Sequence, residues 1–402
     1  MVKPPRLLVR HGIVPAGTLW KIKRALYGLQ EAPAAWSAHR DEVMAGIQIS
    51  VADVKCILVQ LRTESNLWKV VEVETGNVVG MVGVYVDDLL LSGPQLVVDA
   101  LIAAFQKLWE TSKPEIPSET NSTKFCGLEI KRGNSGSVQL AQKDYVLDLV
   151  ARYAEELPSG HQTQPWSGPD DFPEEPDYST AELRRGQTLA GELQWLAQRS
   201  RVDIALAVSK MSQMLTKAPR EAVVRGLRLL AYLRDTQDFY LEYLPTDQVA
   251  THSDDVAQHQ EHHVECFTDA SFAPSCMFSQ SGAVVVWGGA IVAWHTSRQS
   301  LMAQSSAEAE LVAAMDGAAL VRGISPLVAE LVGQEVKTWS LVDNTACVAI
   351  VTSPSTSWRT RHLKIRAAGY VDLVERGVLH LRHVPGATLV ADALTKPLAT
   401  QR

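Results

Sequence analysis

Four acidic residues in the last third of the chain stand where regular structure would turn their side chains toward one place. Asp269 closes an apolar run, Val264 to Thr268, that reads as a strand, and Asp343 closes a second, Thr338 to Val342. Glu310 falls early in a helical stretch that starts at Ser305, and Asp392 opens a short helix near the end of the chain. Carboxylates at strand ends and helix starts can share one cleft, and side by side they cannot all ionise without a counter-charge. Divalent cations supply that charge, and oxygen donors suit magnesium or manganese. Two such ions, about 3.5–4 Å apart, can activate a water and stabilise the leaving oxygen of a phosphodiester. Taken singly, each acid reads as well as a helix cap or a solvated side chain. The combination is what points to chemistry.

A second pair of acids lies far upstream. Asp87 and Asp88 follow Tyr85 and Val86 inside Val78 to Leu91, which is otherwise almost continuously apolar. Two aspartates in such a hairpin are expensive to bury unless they bind metal. The alternative is that they form the hairpin turn itself. His252, His259, His262 and His263, with Cys266, fit no standard zinc spacing and read as a polar linker. The five cysteines, Cys56, Cys126, Cys266, Cys276 and Cys347, are scattered and include no C-x-x-C pair. That argues against a disulfide framework or a zinc ribbon and for buried or inert thiols.

The elements that must carry these residues fall into blocks. Met1 to about Gly93 holds a helix, Tyr27 to Met44, then two strand-like runs, the second being the buried hairpin Val78 to Leu91. Pro94 to Gln164 holds a helix at Leu96 to Leu108. Phe125 to Lys131 and Ser137 to Ala141 form a hairpin across Gly133, Asn134 and Gly136, and Tyr145 to Tyr153 is again helical. Pro165 to Thr180 is acidic, proline-rich and without apolar period, so it reads as a linker. Helices follow at Thr180 to Arg199, Asp203 to Leu215 and Arg220 to Thr236, then a polar linker from Thr246 to His263. The last block adds strands Ser281 to Trp287 and Ala290 to His295, a helix from Ser305 to Val321, and strand Thr338 to Val342. Helices Asn344 to Val351 and Arg361 to Arg376, strand Val378 to Val384 and a short helix after Thr388 complete it. This order predicts an α/β layer fold with a mixed five-stranded sheet.

A chain of 402 residues has room for two or three domains, and 46% apolar with 21% charged residues is ordinary globular composition. No apolar run approaches the roughly 20 residues of a bilayer helix, and the basic start, MVKPPRLLVRHG, leads into no signal-peptide core. The expectation is an intracellular chain, cytoplasmic or nuclear, without a membrane span. The net charge of −7 argues mildly against a nucleic-acid partner. Its distribution softens the objection. Lys3, Arg6, Arg10, Lys21, Lys23 and Arg24 are clustered, as are the cations from Arg359 to Arg366, while Asp170, Asp171, Glu174, Glu175 and Asp177 hold much of the acid. A local basic track can bind phosphates on an acidic molecule.

Residues 264–402 contain, in order, FTDASFA, SGAVVVWGG, AWHTSRQ, SSAEAELVAA, VDNTACV, WRTRHLKIR and HVPGATLVADALTKPL. This series resembles the ribonuclease H domain of copia-type retrotransposons. The resemblance implies Asp269, Glu310, Asp343 and Asp392 as a tetrad for Mg2+ or Mn2+, and the RNA strand of an RNA–DNA hybrid as substrate. Glu308 is the rival for the second place. Glu310 is preferred because the family's glutamate directly precedes the apolar residue of the A-E-L pattern. Many ribonucleases H carry a histidine in the loop before the last aspartate, where this chain has Ala387. His362 is characteristic of the copia branch, for substrate contact or for structure. Arg359, Arg361, Lys364 and Arg366 are candidates for phosphate contacts, the alternative being a solvated helix face.

WKIKRALYGLQEAPAAW at 20–36 and GVYVDDLLLSG at 83–93 resemble the reverse transcriptase of the same elements, with Tyr85, Asp87 and Asp88 in the YVDD tetrad. FCGLEI at 125–130 matches the family's primer-positioning strand, and the helices to Tyr243 continue the match, with SRVDIALAVS where the family usually has a proline after the arginine. The implied organisation is a truncated palm at 1–112, a primer-positioning hairpin and helix at 113–164, a linker at 165–180, a helical thumb or connection at 181–245, a His-rich linker at 246–263 and the ribonuclease H domain at 264–402. The family's polymerase needs a further aspartate on an upstream strand, and no aspartate precedes Asp41. The expectation is a ribonuclease H-type endonuclease, part of a longer polyprotein, that does not polymerise DNA by itself. The alternatives are a decayed, non-enzymatic remnant, or a domesticated nucleic-acid-binding or interaction protein.

Overall fold

The structure, a computed structural model, describes residues 1–23, 28–166, 174–245, 262–274, 277–353 and 361–397. The chain divides into two units, Met1–Pro114 and Glu115–Arg402.

In the first unit, runs of Val, Ile and Leu with period-two burial make a sheet. Helices α1 (Arg6–Arg10) and α2 (Ala32–Ala45) precede strands β1 (Gln48–Val51), β2 (Val54–Gln60), β3 (Leu67–Glu72), β4 (Val78–Tyr85) and β5 (Asp88–Ser92), and α3 (Gln95–Leu108) follows. The strands form an antiparallel meander in sequence order. Trp68, Val70, Val82 and Val84 face a core completed by Met44 of α2 and by Val97, Leu101 and Phe105 of α3. The last three recur every four residues, which puts them on one helix face. The sheet has more strands than the two runs expected. The β1–β2 turn uses Ala52 and Asp53 at φ 47° and 68°, a left-handed conformation without the glycine that would have marked it in the sequence.

The second unit holds two sheets and a helical segment. Strands β6 (Thr123–Phe125), β7 (Leu128–Arg132) and β8 (Val138–Ala141) pair antiparallel, and β9 (Leu241–Tyr243) returns to the edge of β8. The run expected as one strand from Phe125 turns back at Cys126 and Gly127, φ 52° and 76°. Between β8 and β9 lie α4 (Lys143–Arg152), α5 (Thr180–Ala197), α6 (Ala205–Met214) and α7 (Pro219–Asp235). Ser179 and Glu182 form a reciprocal capping box that starts α5.

The second sheet is the mixed five-stranded one expected. Its strands are β10 (His263–Ser271), β11 (Gln280–Trp287), β12 (Ala290–Arg298), β13 (Lys337–Val342) and β14 (His380–His383), in the order β12-β11-β10-β13-β14. β10, β13 and β14 are parallel, and the remaining pairs are antiparallel. Helix α8 (Ser306–Val332) crosses one face; α9 (Thr345–Thr352), α10 (Arg361–Arg366) and α11 (Ala368–Glu375) follow, then short 3-10 turns at Gly386–Thr388 and Val390–Leu394. The helix expected from Arg361 to Arg376 is broken at Ala367, and α8 runs past Val321 with Pro326 inside it. Among the described helices α8 alone is long and apolar enough to cross a bilayer, and its Ala313, Ala314, Gly317, Ala318 and Val321 are buried. The opposite face of the sheet, through Phe267, Val284 and Leu341, shares one core with Leu149 of α4, Leu189 and Leu193 of α5, Val208 of α6 and Leu230 of α7. Cys56, Cys266 and Cys347 are buried free thiols and Cys126 is half-buried. Cys276, His252 and His259 lie outside the described residues.

A candidate metal centre and its surroundings

Parallel pairing aligns the first two carboxylates. Thr268 of β10 is in register with Val342 of β13, so the next residues lie side by side: Asp343 just past the end of β13, and Asp269 still within β10, which runs two residues beyond the strand end expected for it. Glu310 joins them because α8 lies close on β10. A Cβ at Gly317 would sit 2.3 Å from Thr268 Cγ2 and 3.0 Å from Cys266 Sγ, so only glycine lets the helix approach this far. One ligand oxygen from each of Asp269, Glu310 and Asp343 then lies within 4.8 Å of the others.

Asp392 is not within that group. It sits in the 3-10 turn Val390–Leu394, which rests on β11 at Gly282, the cross-strand partner of Asp269. A Cβ at Gly282 would lie 2.7 Å from Thr395 Cγ2 and 2.9 Å from Leu394 Cβ. Lys396 links Asp392 to the cluster, with Nζ 3.0 Å from Asp392 Oδ1 and 3.9 Å from Asp269 Oδ2. Buried Thr395 donates to Asp269 Oδ2. Neither Thr395 nor Lys396 was singled out from the sequence. The available signal was their spacing, three and four residues after Asp392 in a helical turn.

The electrostatics fit a cation. Asp269 is 2% exposed and Glu310 6% exposed. Burial pushes Glu310 up to about 8, and the charges of Asp269 and Asp343 add to the push, against an Ala270 N–H bond and Lys396. Burial also raises Asp269, against Thr395 and Lys396. Burial lowers Lys396, but its bond to Asp392 and the charges of Asp269, Asp392 and Asp343 raise it overall. Glu310 Oε2 is buried and has no hydrogen-bond partner among the described residues. A buried carboxylate oxygen without a partner, in a set of oxygen-only donors, suits a hard divalent ion. The rival Glu308 is occupied elsewhere. It ion-pairs with Arg366 through Oε1 and accepts from the Gln304 N–H through Oε2 at 2.8 Å.

The basic candidates separate. Arg361 and His362 are exposed on α10. Lys364 is half-buried and donates to the carbonyl of Ser353, the residue that caps α9. Arg366 is taken by Glu308, which anchors α10 beside the start of α8. Arg359 lies outside the described residues.

In the first unit, Tyr85 pairs with Asp88, which leaves Val86 and Asp87 as the hairpin turn. Tyr85, Asp87 and Asp88 are all exposed, so the burial expected for this pair is not met. The apolar residues lie on the strands and the acids at the tip. Val86 has φ 57°, and its carbonyl accepts from Trp36 Nε1 at 2.9 Å and from Arg40 Nη1 at 3.3 Å. Helix α2 thus holds the turn from beneath, with Arg40 3% exposed and paired with Asp41.

No family model matches the chain. It is 28% identical over 392 residues, 94% of its length, to the retrovirus-related Pol polyprotein from transposon RE1 of Arabidopsis thaliana. It is 22% identical over 407 residues, 98% of its length, to the Gag-Pol polyprotein of transposon Ty1-DR5 of Saccharomyces cerevisiae. The chain spans about a quarter of these relatives, 24% and 22% of their lengths. Among solved structures, RNase H1 from the halophilic archaeon Halobacterium salinarum NRC-1 matches 33% of this chain and 94% of its own, with 22% identity and a TM-score of 0.24.

Proposed function

We propose that this chain, a stretch of a copia-type retrotransposon Pol polyprotein, is a metal-dependent endonuclease that cuts the RNA strand of RNA–DNA hybrids. The observation that carries the reading is the cluster of Asp269, Glu310 and Asp343 with the unpartnered, buried Oε2 of Glu310. These three residues would hold magnesium or manganese, with Asp392 at the edge. When bound, the ions supply charge neutralisation, an activated water and stabilisation of the leaving oxygen.

The remaining chemistry belongs to the chain's own residues. Thr395 fixes the orientation of Asp269 by donating to Oδ2, and the Ala270 N–H does the same for Glu310. Burial of Asp269 and Glu310 keeps competing water from their far sides, so their charges act at low dielectric. Lys396 holds Asp392 and lends a positive charge to the edge of the cluster. Arg361 and His362 stand exposed on a helix that Arg366 ties to the start of α8, which favours phosphate contacts there. Discrimination of RNA from DNA then rests on the 2′-OH pattern of the wide minor groove. A hybrid substrate places the activity inside the cell, in cytoplasm or nucleus. Among the described residues no third metal-ligating side chain joins Asp87 and Asp88, and we assign no polymerase step to this chain.

Cleavage of a labelled hybrid by the purified chain tests the reading. Magnesium or manganese should support cutting and a chelator should stop it. Asp269→Asn should lower the rate by more than the roughly 10–100-fold that even an outer partner of a ligand contributes, with an unchanged circular dichroism spectrum. Equal cutting by Asp269→Asn and the parent chain would overturn the assignment.

A further inference from the structure

The helical segment packed on the sheet reaches the metal centre through a run of hydrogen bonds. Gln280, the first residue of β11, is 4% exposed. Its Nε2 donates to Thr296 Oγ1 of β12 at 2.8 Å and to Ser209 Oγ of α6 at 3.2 Å. Its Oε1 accepts from Gln213 Nε2, also of α6, at 3.3 Å. Thr296 in turn donates to the carbonyl of Leu394 at 2.6 Å. A hydroxyl has one proton, so once Thr296 has given it to Leu394 it can only accept from Gln280. That requirement sets which end of the Gln280 amide faces Thr296, and leaves its oxygen for Gln213.

Leu394 ends the turn that contains Asp392 and precedes Thr395, which donates to Asp269. A single 3-10 turn has few bonds of its own, and its terminal carbonyls need outside donors. Thr296 is such a donor. One further bond fastens β12 to the helical segment, Trp294 Nε1 donating to the Ala197 carbonyl at the end of α5 at 2.7 Å, and one fastens it to the four-stranded sheet, Tyr243 Oη of β9 donating to the Ile291 carbonyl at 3.1 Å.

We infer that Gln280 and Thr296 are positioning residues of the metal centre, and that α6, through Ser209 and Gln213, is the buttress that holds them in place. The helices preceding the nuclease sheet are then part of its working core. The inference rests on the nuclease reading for its activity arm, on the proposed carboxylate site for its metal-affinity arm, and on the hydrogen-bond geometry alone for its exchange arm.

The test uses the full chain with Thr296→Val, Thr296→Ser, Gln280→Met and Gln213→Ala. Hydrogen exchange is followed at the Thr395 and Lys396 amides, both bonded to the Asp392 carbonyl at 3.1 Å. Manganese affinity is measured by calorimetry, and hybrid cleavage is resolved into kcat and KM. Thr296→Val and Gln280→Met should speed exchange at both amides and weaken manganese binding by roughly 10–100-fold. They should lower kcat in a way that excess metal restores, with KM for hybrid unchanged. Gln213→Ala, on α6, should move each quantity in the same direction by less, and Thr296→Ser should match the parent. Should Thr296→Val fail to fold, Gln213→Ala decides through exchange and metal binding. Parent-like exchange and metal affinity in Gln280→Met and Gln213→Ala would overturn the inference. A parent chain that never cuts hybrid, while the variants shift exchange and metal affinity as expected, would overturn the nuclease reading and leave the positioning role standing.

Discussion

Glu308 and Glu310 are two residues apart on α8, a spacing that sends their side chains to different sides of a helix. Both are buried, and their partners decide their roles: Arg366 for Glu308, the carboxylate cluster for Glu310. Glu310→Gln is expected to abolish manganese binding in calorimetry. Glu308→Gln should retain it and instead lower stability by roughly 1–3 kcal/mol in urea denaturation, discounted because Arg366 is partly exposed. The reverse pattern would exchange the two assignments. Glu265 offers a pH test away from the centre. It lies on β10, 1% exposed, and burial raises its carboxyl to about 7. A raised acid favours the folded state below its unfolded value, near 4.3 in model peptides, and loses that contribution as pH rises through about 7. Glu265→Gln should therefore melt with the parent near the low end of that window and above it on the alkaline side. Thermal melts across the window check this; a constant difference would mean that Glu265 does not titrate there.

At the scale of elements, the β4–β5 turn shows a local rule broken and compensated. A β-branched residue at positive φ costs roughly 1–2 kcal/mol, yet Val86 sits at φ 57°. The two bonds that its carbonyl receives from Trp36 and Arg40 offset that cost and lock the turn onto α2. Val86→Gly should remove the strain and raise stability by up to about 1 kcal/mol, the gain reduced by glycine's greater unfolded freedom. Trp36→Phe in the same background should lower it, since one hydrogen bond to the turn is lost. Chemical denaturation of both variants is the check, and a destabilising Val86→Gly would mean that the valine side chain packs usefully at the tip.

For the whole molecule, charge sets the conditions of any nucleic-acid encounter. The net −7 opposes binding, so affinity must come from local cations. Hybrid affinity should fall steeply with salt, and Arg361→Gln should reduce the salt slope by about 1 if that side chain meets a phosphate. Fluorescence anisotropy over a salt series measures it. An unchanged slope would turn α10 away from the duplex. Lys364→Gln should act differently, through the end of α9, because its ammonium already serves the Ser353 carbonyl.

Much of this molecule was determined by its sequence alone. Period and apolar runs located the elements of the mixed five-stranded sheet and most helices, since one-sided burial leaves its period in the residues. The two acids that follow apolar runs were legible for the same reason: the runs before Asp269 and Asp343 read as strands and are strands, although β10 continues past Asp269 to Ser271. What the sequence lacked was information carried by close approach between distant segments. Gly317 and Gly282 gain their meaning only from Thr268 and Thr395, which pack where a side chain would stand. The turn at Ala52–Asp53 is left-handed without any glycine, so no local signal marked it, and at Cys126–Gly127 the one signal, Gly127, stood inside a run that read as a single strand. Nor could the sequence show that Leu193 and Leu230 share one core with Phe267 and Leu341. Pairings such as Arg366 with Glu308, or Thr296 with Leu394, depend on three-dimensional proximity across tens of residues, and only the tertiary structure decides which polar groups meet.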